Sequence, residues 1–353
     1  MKIAVTADLH LTTKDDHPER YEVLENILRQ CSELGIDLLV IAGDLFDDTL
    51  QNFADFEDVY RRARPDDLQT VVLPGNHDPD LRGEAIAEEA LAVIDDVHPL
   101  PVGNHIPLLL VPYRADTTMG EAIAPHADEL SEDRWILVGH GDWASGLRVP
   151  NPYEPGVYMP LTRQDVETYR PARVFLGHIH RPYEDDLVYY PGSPCPLNIN
   201  ETGLRRLLIF DTQTRDLRSE LVDSPQIYFN ETFVILPVED EAAYLEREIE
   251  ERVEAWGLPE GWESRVTLRA KLTGYTTDKP QIRDVATEAL SDFELYDEEG
   301  VDVSELSHTG DLDRDHITRQ VQKWIDALDW KEGAAEPGKD EILTQAMKVI
   351  YGT

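Results

Sequence analysis

Five short blocks of Asp, His and Asn recur in the first half of the chain, and each block follows an apolar run. The blocks are Asp8-Leu9-His10, Gly43-Asp44, Gly75-Asn76-His77-Asp78, Gly139-His140 and Gly177-His178-Ile179-His180. Carboxylate, amide and imidazole groups without a thiolate suit Mn, Fe or Zn ions better than a structural zinc site, which usually recruits cysteines. The blocks therefore predict a site for divalent cations.

The runs before the blocks have the composition of buried strands. They are Lys2 to Ala7, Leu38 to Ala42, Thr70 to Leu73, Trp135 to Val138, and Arg173 to Leu176. Parallel strands covered on both faces read as continuous apolar runs, and ligands bind outside the carboxyl ends of such strands. We therefore expect all five blocks to converge on one edge of a sheet.

A pair of cations needs a carboxylate that bridges them, and Asp44 is the candidate. Two cations roughly 3.5 to 4 Å apart can clamp a phosphate and lower the pKa of a bound water toward about 7. Gly43 lets the backbone come close at the turn, so that the Asp44 carboxylate can lie between the ions. A single block is more often a turn or a surface histidine, but five together favour a two-metal phosphoesterase site.

In this order, the blocks resemble the signature of the calcineurin-like metallophosphoesterases. The resemblance implies that Asp8, His10, Asp44 and His180 hold one metal and that Asp44, Asn76, His140 and His178 hold the other. It also implies that His77 stays unligated as the general acid, with Asp78 orienting its ring. The remaining histidines are expected to be solvated or packing residues: His17, His98, His105, His126, His308 and His316.

The stretch Tyr190-Pro191-Gly192-Ser193-Pro194 is similar to the segment after the last histidine motif in DNA-repair nucleases of the SbcD type. Lys2 to His10 and Gly43 to Asp47 point the same way, and the likeness covers roughly residues 1–220. Asp47 stands where eukaryotic and archaeal relatives often have His, which is closer to the bacterial and phage pattern, and Asp78 stands where many relatives have Glu.

That resemblance implies a Mn-dependent nuclease that hydrolyses DNA phosphodiesters with a hydroxide activated by two metal ions. It implies exonuclease activity, endonuclease activity or both, in an SbcCD-like repair and recombination complex with an SbcC-like ATPase. A stand-alone phosphatase or small-molecule phosphodiesterase would share every ligand and stays open as the alternative. A scaffold with a vestigial site is disfavoured because none of the seven ligands is missing.

The chain is strongly acidic, with 71 Asp and Glu against 32 Lys and Arg and a formal net charge of −39. A DNA-binding protein ordinarily has a basic face, so the positive charge would have to come from the cations and from a partner subunit. Arg114, Arg148 and Arg181 are expected near the mouth of the site, but each could equally be a solvated surface charge. Acidic residues scattered along the whole chain favour adaptation to high salt, where repulsion between distant charges is screened.

Cys31 and Cys195 are the only cysteines, too few for a disulfide framework. Cys31 falls in a predicted helix and reads as a small core residue. No apolar run reaches the ~18 residues that a membrane span requires, and the N-terminus enters a strand at once instead of showing a signal peptide. We therefore expect a cytoplasmic protein.

Alternation of strands with amphipathic helices predicts an α/β fold. The predicted helices are Glu19 to Leu34, Phe53 to Ala63 and Glu84 to Ile94. After His180, extended runs predict a second sheet packed on the first: Leu187 to Tyr190, Arg205 to Phe210 and Leu217 to Val222. The family resemblance makes this a four-layer β-sandwich flanked by helices.

Three segments are expected: a metallophosphoesterase (nuclease) domain over 1–222, a smaller α+β capping domain over 227–300, and a C-terminal helical segment over 301–353. The middle segment could cover the active site, stabilise the fold or form a homodimer. In the last segment, two helices flank the loop Glu332 to Gly338, at Asp315 to Leu328 and Asp340 to Ile350. Their apolar stripes could cover the protein's own core or dock onto the coiled coil of the ATPase.

Overall fold

A computed structural model describes residues 1–47, 52–102, 106–144, 156–310, 312–328, 330 and 337–351. The chain separates into two compact units. The first comprises Met1–Leu197 and Leu204–Gln226, and the second comprises Asn198–Gly203 and Ile227–Thr353.

The first unit contains the five strands that precede the Asp, His and Asn blocks. Its strands, in chain order, are β1 (Lys2–Thr6), β2 (Leu38–Ala42), β3 (Gln69–Leu73), β4 (Leu91–Val93), β5 (His98–Leu100), β6 (Leu108–Val111), β7 (Ile136–His140), β8 (Trp143–Ala144), β9 (Leu161–Thr162), β10 (Arg173–Gly177), β11 (Tyr183–Asp185), β12 (Val188–Tyr190), β13 (Arg206–Asp211) and β14 (Leu217–Leu221). Its α-helices are α1 (Pro18–Leu34), α2 (Phe53–Ala63), α3 (Met119–Ile123) and α4 (Arg163–Tyr169), with 3-10 turns at Gly83–Ala85 and Ala124–Glu129.

Two sheets dominate the described part of this unit, in the orders β14-β13-β1-β2-β3-β4 and β11-β12-β10-β7-β6-β5. Strands β1 to β4 are parallel, as are β6, β7, β10 and β12, while the remaining members pair antiparallel. We expected β13 and β14 to join a second sheet after His180, and this was wrong. Lys2 pairs with Asp211, so both strands extend the first sheet.

Side chains that alternate along each strand build four layers: helices, sheet, sheet, helices. In β2, Leu39 and Ile41 pack against α1 and α2, whereas Val40 faces the second sheet. In β10, Phe175 lies between the sheets, and Leu176 belongs to the cluster that contains α3. Full burial of such side chains contributes about 1.5–3 kcal/mol each. The predicted α/β sandwich is confirmed.

Helix α1 begins with Pro18 at its first position, where the missing N–H is harmless, and buries Cys31 in the outer core. The predicted helix from Glu84 to Ile94 was wrong. Thr70 N donates to Ala90 O and Ile94 N donates to Val72 O, so this segment pairs with the edge of β3 as β4. Hydrogen bonding along a free sheet edge outweighed a helical pattern of side chains.

The second unit alternates strands and helices. Its elements are β15 (Ile227–Ile235), α5 (Glu241–Ala255), β16 (Val266–Thr276), α6 (Lys279–Ala289), β17 (Glu294–Leu295), β18 (Asp302–His308), α7 (Leu312–Asp326) and α8 (Lys339–Tyr351), with a 3-10 turn at Glu263–Arg265. The order is β15-β16-β17, with β18 also on β16, and all these pairings are parallel. Strand β18 was absent from the sequence-based expectation.

Within the second unit, the two C-terminal helices use part of their apolar stripes to pack against other elements of the same unit. Ile325 of α7 and Leu343 and Met347 of α8 are buried in a cluster with Val234 and Tyr275. Most of the predicted loop between them, 331–336, lies outside the described residues. Among the helices of the described segments, none is both long and apolar enough to cross a membrane.

Candidate metal centre

All seven predicted ligands lie together at the carboxyl ends of five strands. These strands belong to both sheets: β1, β2 and β3 to the first, and β7 and β10 to the second. The predicted convergence on one edge is present, although the strands come from two sheets and not from one. Because the sheets pack face to face, their strand ends meet at the same edge of the sandwich.

The first half of the centre is formed by three groups. Ligand atoms of Asp8, His10 and His180 all lie within 4.8 Å of one another. The Nε2 atoms of His10 and His180 are 3.1 Å apart, and His10 Nε2 is 3.7 Å from Asp44 Oδ2. These positions fit the first predicted ligand set.

The second half is centred on Asn76. Its Oδ1 lies 2.7 Å from His140 Nε2 and 3.0 Å from His178 Nδ1. Asp44 Oδ2 is 3.2 Å from the same His140 Nε2. Asp44 therefore faces both halves, which is the placement expected of a bridging carboxylate.

The donor set fits a pair of cations because side-chain oxygen and nitrogen atoms that can bind a metal converge here at short distances. His140 Nδ1 lies 2.9 Å from Ala42 O, which places a proton on Nδ1, so that Nε2 is the atom available to a cation once its own proton leaves. Asp44 Oδ2 is buried and makes no hydrogen bond of normal geometry with the described residues. A buried carboxylate left in this way is unfavourable, and a cation would satisfy it.

The ionisation of these groups points to the same demand for positive charge. Burial would raise the pKa of Asp44, but the neighbouring His140 and His10 lower it below its usual value. Burial lowers the pKa of His140, yet Asp44 and Asp8 raise it to about 9 overall. Burial lowers the pKa of His10 to about 3, so its imidazole is neutral at pH 7, the form that binds metals.

Four of these side chains reach the centre from left-handed backbone. The φ angles are 56° at Asp8, 48° at His10, 50° at Asp44 and 100° at His178. Such conformations cost on the order of 1–3 kcal/mol each for residues other than glycine. They are held by hydrogen bonds, among them His178 N to Asp8 Oδ1 (2.9 Å) and His77 N to Asp44 Oδ1 (2.8 Å).

Two glycines in the blocks are required by space. A Cβ on Gly43, whose φ is 96°, would overlap the His140 ring, and a Cβ on Gly75 would overlap the Asp44 carboxylate. The close approach that the sequence predicted for Gly43 is therefore present, and its physical cause is the His140 imidazole behind it.

His77 lies beside the ligands, with its ring edge-on to His10 at 4.6 Å between centroids. The expectation that Asp78 orients it was wrong. Asp78 is buried and accepts hydrogen bonds from Gly75 N (2.6 Å) and Phe46 N (3.1 Å), so it braces the turn. One carboxylate near His77 is Asp47, whose Oδ1 is 3.6 Å from Nδ1.

Sequence reasoning missed the groups that hold the ligand-bearing loops. Buried Arg205 donates from Nη1 to His180 O (3.1 Å), and buried Arg20 donates from Nη1 to His10 O. Ser193 N also donates to His180 O (3.0 Å), and the Tyr190 hydroxyl donates to Gly141 O (2.8 Å). Ser193 and Tyr190 could have been found from the sequence, because they lie in the Tyr190 to Pro194 motif. The two arginines could not, because an isolated arginine in a sequence is usually a surface residue.

Two tyrosines and a carboxylate line the side of the centre that holds His140 and His178. The Tyr158 ring lies 4.7 Å from the His178 ring, and Tyr113 is edge-on to His140 at 6.3 Å. Asp142 accepts a hydrogen bond from Tyr158 N (2.8 Å), and its Oδ1 is 3.7 Å from His178 Nε2. No pattern in the sequence identified them.

The arginines and histidines named outside the centre fall elsewhere. Arg114 is paired with Asp96 at 2.6 Å, and Arg181 is exposed. Arg148 and His105 lie outside the described residues. The other five histidines without a predicted role are exposed or half-buried, and His17 pairs with Glu19 at 2.8 Å.

A four-layer sandwich with this Asp, Asn and His set at its edge defines a metal-dependent phosphoester hydrolase. The sequence profile of the calcineurin-like phosphoesterases matches residues 1–182, a little over half of the 353 residues. The chain belongs to that family, whose members use a dinuclear metal site.

Solved structures with partial likeness include three from different organisms. A hypothetical protein from Thermus thermophilus is 12% identical, with a TM-score of 0.42 over 64% of this chain and 100% of its own. A purple acid phosphatase from yellow lupin (Lupinus luteus) seeds is 14% identical, with a TM-score of 0.41 over 65% and 52%. A phosphatase from Mycoplasma pneumoniae is 10% identical, with a TM-score of 0.37 over 63% and 92%. Likeness this low says nothing about the substrate.

Proposed function

We propose that this chain is a Mn-dependent DNA nuclease and the nuclease subunit of an SbcCD-like repair complex. One observation carries the proposal beyond the family level. The Tyr190 to Pro194 segment, on which the resemblance to SbcD-type nucleases depends, is built into the centre: Ser193 N supports His180 O, and the Tyr190 hydroxyl supports Gly141 O. The segment thus supports the backbone of one predicted ligand, His180, and the backbone next to another, His140.

For phosphodiester hydrolysis by this centre, one cation would be held by Asp8, His10, Asp44 and His180. The other would be held by Asp44, Asn76, His140 and His178. Bound cations would supply Lewis acidity, which neutralises the charge on the phosphate and makes a water more acidic. The protein supplies ligand geometry through the left-handed turns at Asp8 and Asp44. The Tyr158 and Tyr113 rings lie on the His140 side of the centre.

His77 would move the proton to the leaving oxygen. Asp47 Oδ1 lies 3.6 Å from Nδ1, so Nε2 is the nitrogen that would give up the proton. General acid catalysis typically contributes about 10²–10⁴-fold in rate. We expect His77→Asn to slow DNA cleavage by about that factor while Mn affinity, measured by calorimetry, stays near the wild-type value. Full cleavage activity in this variant would remove the acid role.

The test of the function is cleavage of linear duplex and hairpin DNA by the purified chain with Mn, alongside an aryl phosphodiester and an aryl phosphomonoester. The ligand variant is Asp44→Ala, and the matched control is Asp67→Ala, an exposed aspartate away from the centre. The assays are repeated across a range of salt because the chain is so acidic.

DNA cleavage that requires Mn and is lost only in Asp44→Ala supports the proposal. Cleavage of the aryl diester without DNA cleavage, even after an SbcC-like ATPase is added, would favour a small-molecule phosphodiesterase. Cleavage of only the monoester would favour a phosphatase.

We also propose that the SbcC-like ATPase binds the outward face of α7. Ile317 and Trp324 lie two turns apart on α7 and are 49% and 69% exposed, and Leu328, just after the helix ends, is 56% exposed. Large apolar side chains exposed in one stripe mark interaction sites, and a coiled-coil partner would present a matching stripe. Co-purification of the ATPase with wild type, but not with Trp324→Glu, tests this.

A further inference from the structure

A cavity of about 540 Å³ lies in the first unit, between the edges of its two sheets. One wall is formed by β13 and β14, and the other by β11, β12 and the start of β10. Strands β14 and β11 are the outermost strands of their sheets. None of the seven predicted metal ligands lines the cavity, so it is separate from the metal centre.

The lining is basic in an otherwise acidic chain. Four arginines face the cavity, Arg173, Arg206, Arg215 and Arg218, against two carboxylates, Glu184 and Asp216. The chain as a whole carries a formal charge of −39. A local excess of guanidinium groups in such a protein concentrates positive potential where an anion can enter.

Three of these guanidinium groups lack an acidic partner. Within the described parts of the chain, no carboxylate lies within ion-pair distance of Arg173, Arg206 or Arg215, and Arg218 alone pairs, with Glu220 at 2.8 Å. Arg173 Nη1 donates to Ala172 O (2.8 Å), but its buried Nε has no hydrogen-bond partner there. A buried donor without a partner is unfavourable, and the negative charge of an anionic ligand in the cavity would offset this cost.

A second cavity of about 510 Å³ shows that arginine alone does not make such a site. Its two arginines are already satisfied: Arg61 pairs with Glu88 at 2.6 Å, and Arg64 donates to the carbonyl oxygens of Pro65, Asp66 and Leu68. Its lining also carries more acidic than basic residues. The first cavity differs because three of its four arginines have no carboxylate partner in the described parts of the chain.

Tyrosine rings complete the first cavity. Tyr183 is 45% exposed and lies 6.2 Å from the Tyr190 ring, and Tyr189 lies 6.0 Å from Phe175. An aromatic face stacks on any nucleobase, while planar guanidinium groups bind phosphate with two parallel hydrogen bonds. The volume is within the range of about 300–1,000 Å³ typical of small-molecule sites.

We propose that this cavity binds a nucleotide unit, with Arg173 and Arg206 on the phosphate and Tyr183 and Tyr189 against the base. The nucleotide comes either from solution, as a free mononucleotide, or from a DNA strand. This site goes beyond the proposed nuclease function and does not need the cations, so binding without metal distinguishes its failure from failure of the nuclease proposal.

The experiment titrates the full chain with dAMP, with a short 5′-phosphorylated oligo-dT strand and with inorganic phosphate, in EDTA, by calorimetry. The variants are Arg206→Gln, Arg173→Gln and Arg206→Lys. The matched control is Arg170→Gln, an exposed arginine of the same unit that pairs with Glu132 and Asp133. Nucleotide protection of Arg173 and Arg206 from phenylglyoxal, read by mass spectrometry, reports on the wild-type protein if a variant fails to fold.

We expect each Gln variant to weaken nucleotide binding about tenfold or more, since a charge-assisted hydrogen bond is lost. Arg206→Lys should recover part of the affinity, and Arg170→Gln should leave it unchanged. Binding of dAMP alone identifies the free nucleotide as the source, and binding of the strand alone identifies DNA. Equal affinity for inorganic phosphate, unchanged binding in the Gln variants without protection, or no nucleotide binding at all would overturn the proposal.

Discussion

Backbone conformation at single residues decides whether the ligands can meet. The left-handed φ angles at Asp8, His10 and Asp44 turn successive side chains inward at the strand ends. Hydrogen bonds between the two loops hold them there, since Asp8 N donates to Gly43 O (3.1 Å) and His10 N donates to Asp44 O (3.0 Å). Changes at neighbouring glycines should therefore affect the centre as strongly as changes at the ligands.

Gly43→Ala tests this directly. The new Cβ would overlap the His140 ring, and overpacking of this kind costs about 1–3 kcal/mol in addition to the left-handed φ. The control is Gly261→Ala, because Gly261 has a similar φ of 84° with open space around it. We expect Gly43→Ala to lower both the free energy of unfolding in urea and the Mn affinity. Equal effects of the two substitutions would contradict the overlap.

His140 should make the stability of the metal-free protein depend on pH. Its pKa is raised from 6.5 to about 9, so its contribution is fully present below pH 6.5 and is lost as pH rises through 9. We expect the free energy of unfolding in EDTA to fall over this window by on the order of 1–3 kcal/mol.

His140→Gln should flatten this slope, whereas His98→Gln, at an exposed position, should not. Mn affinity should rise over the same pH window, because cations compete with the proton on His140. A stability profile that is flat between these pH values would argue against the raised pKa.

The placement of the ligands was readable from sequence because each block directly follows a strand. The groups that hold the ligands in place could not be predicted from the sequence. Asp78 follows His77 in sequence but bonds to Gly75 N and Phe46 N, since adjacent side chains in a turn point in different directions. Arg205 contacts a carbonyl 25 residues earlier, and nothing local in its sequence indicates that pairing.

At the scale of elements, Tyr190 joins the end of β12 to the connection between β7 and β8. Its hydroxyl donates to Gly141 O (2.8 Å) and accepts from Trp143 N (2.7 Å). Tyr190→Phe removes the hydroxyl that both backbone groups bind, and this loss lowers the free energy of unfolding by about 1–3 kcal/mol. We expect a lower melting temperature and weaker Mn binding, measured by calorimetry, with Tyr296→Phe at a 44% exposed position as the control. An unchanged melting temperature would show that water replaces the hydroxyl.

The pattern of apolar residues predicted where most helices and strands begin and end, but it did not predict which sheet each strand joins. Helices α1 and α2 and the five block-bearing strands lie within a few residues of their predicted bounds. Strands β13 and β14 were assigned to the wrong sheet because alternation says which side is buried and not which neighbour is paired. Segment 84–94 was predicted as a helix, although its last part, Leu91–Val93, pairs with β3.

At the scale of the whole molecule, charge repulsion should dominate the response to salt. The net charge is −39, and α5 alone places Glu246, Glu250 and Glu254 one turn apart on its exposed side. Like charges at this spacing destabilise a helix, and salt screens them. We expect the melting temperature to rise steeply with KCl, by about 2–4 °C per kcal/mol of relieved repulsion. A neutral osmolyte is the control, and a melting temperature insensitive to KCl would contradict this account.

The seven side chains of the centre come from both sheets. Asp8, His10, Asp44 and Asn76 follow strands of the first, and His140, His178 and His180 belong to the second. Cations held by all of them would act as a removable cross-link between the layers of the sandwich. At 100 times the dissociation constant, a ligand that binds only the folded state stabilises it by about 2.7 kcal/mol. Chelation would then release the two sheets from each other at this edge, so cation supply would set how readily the sandwich opens.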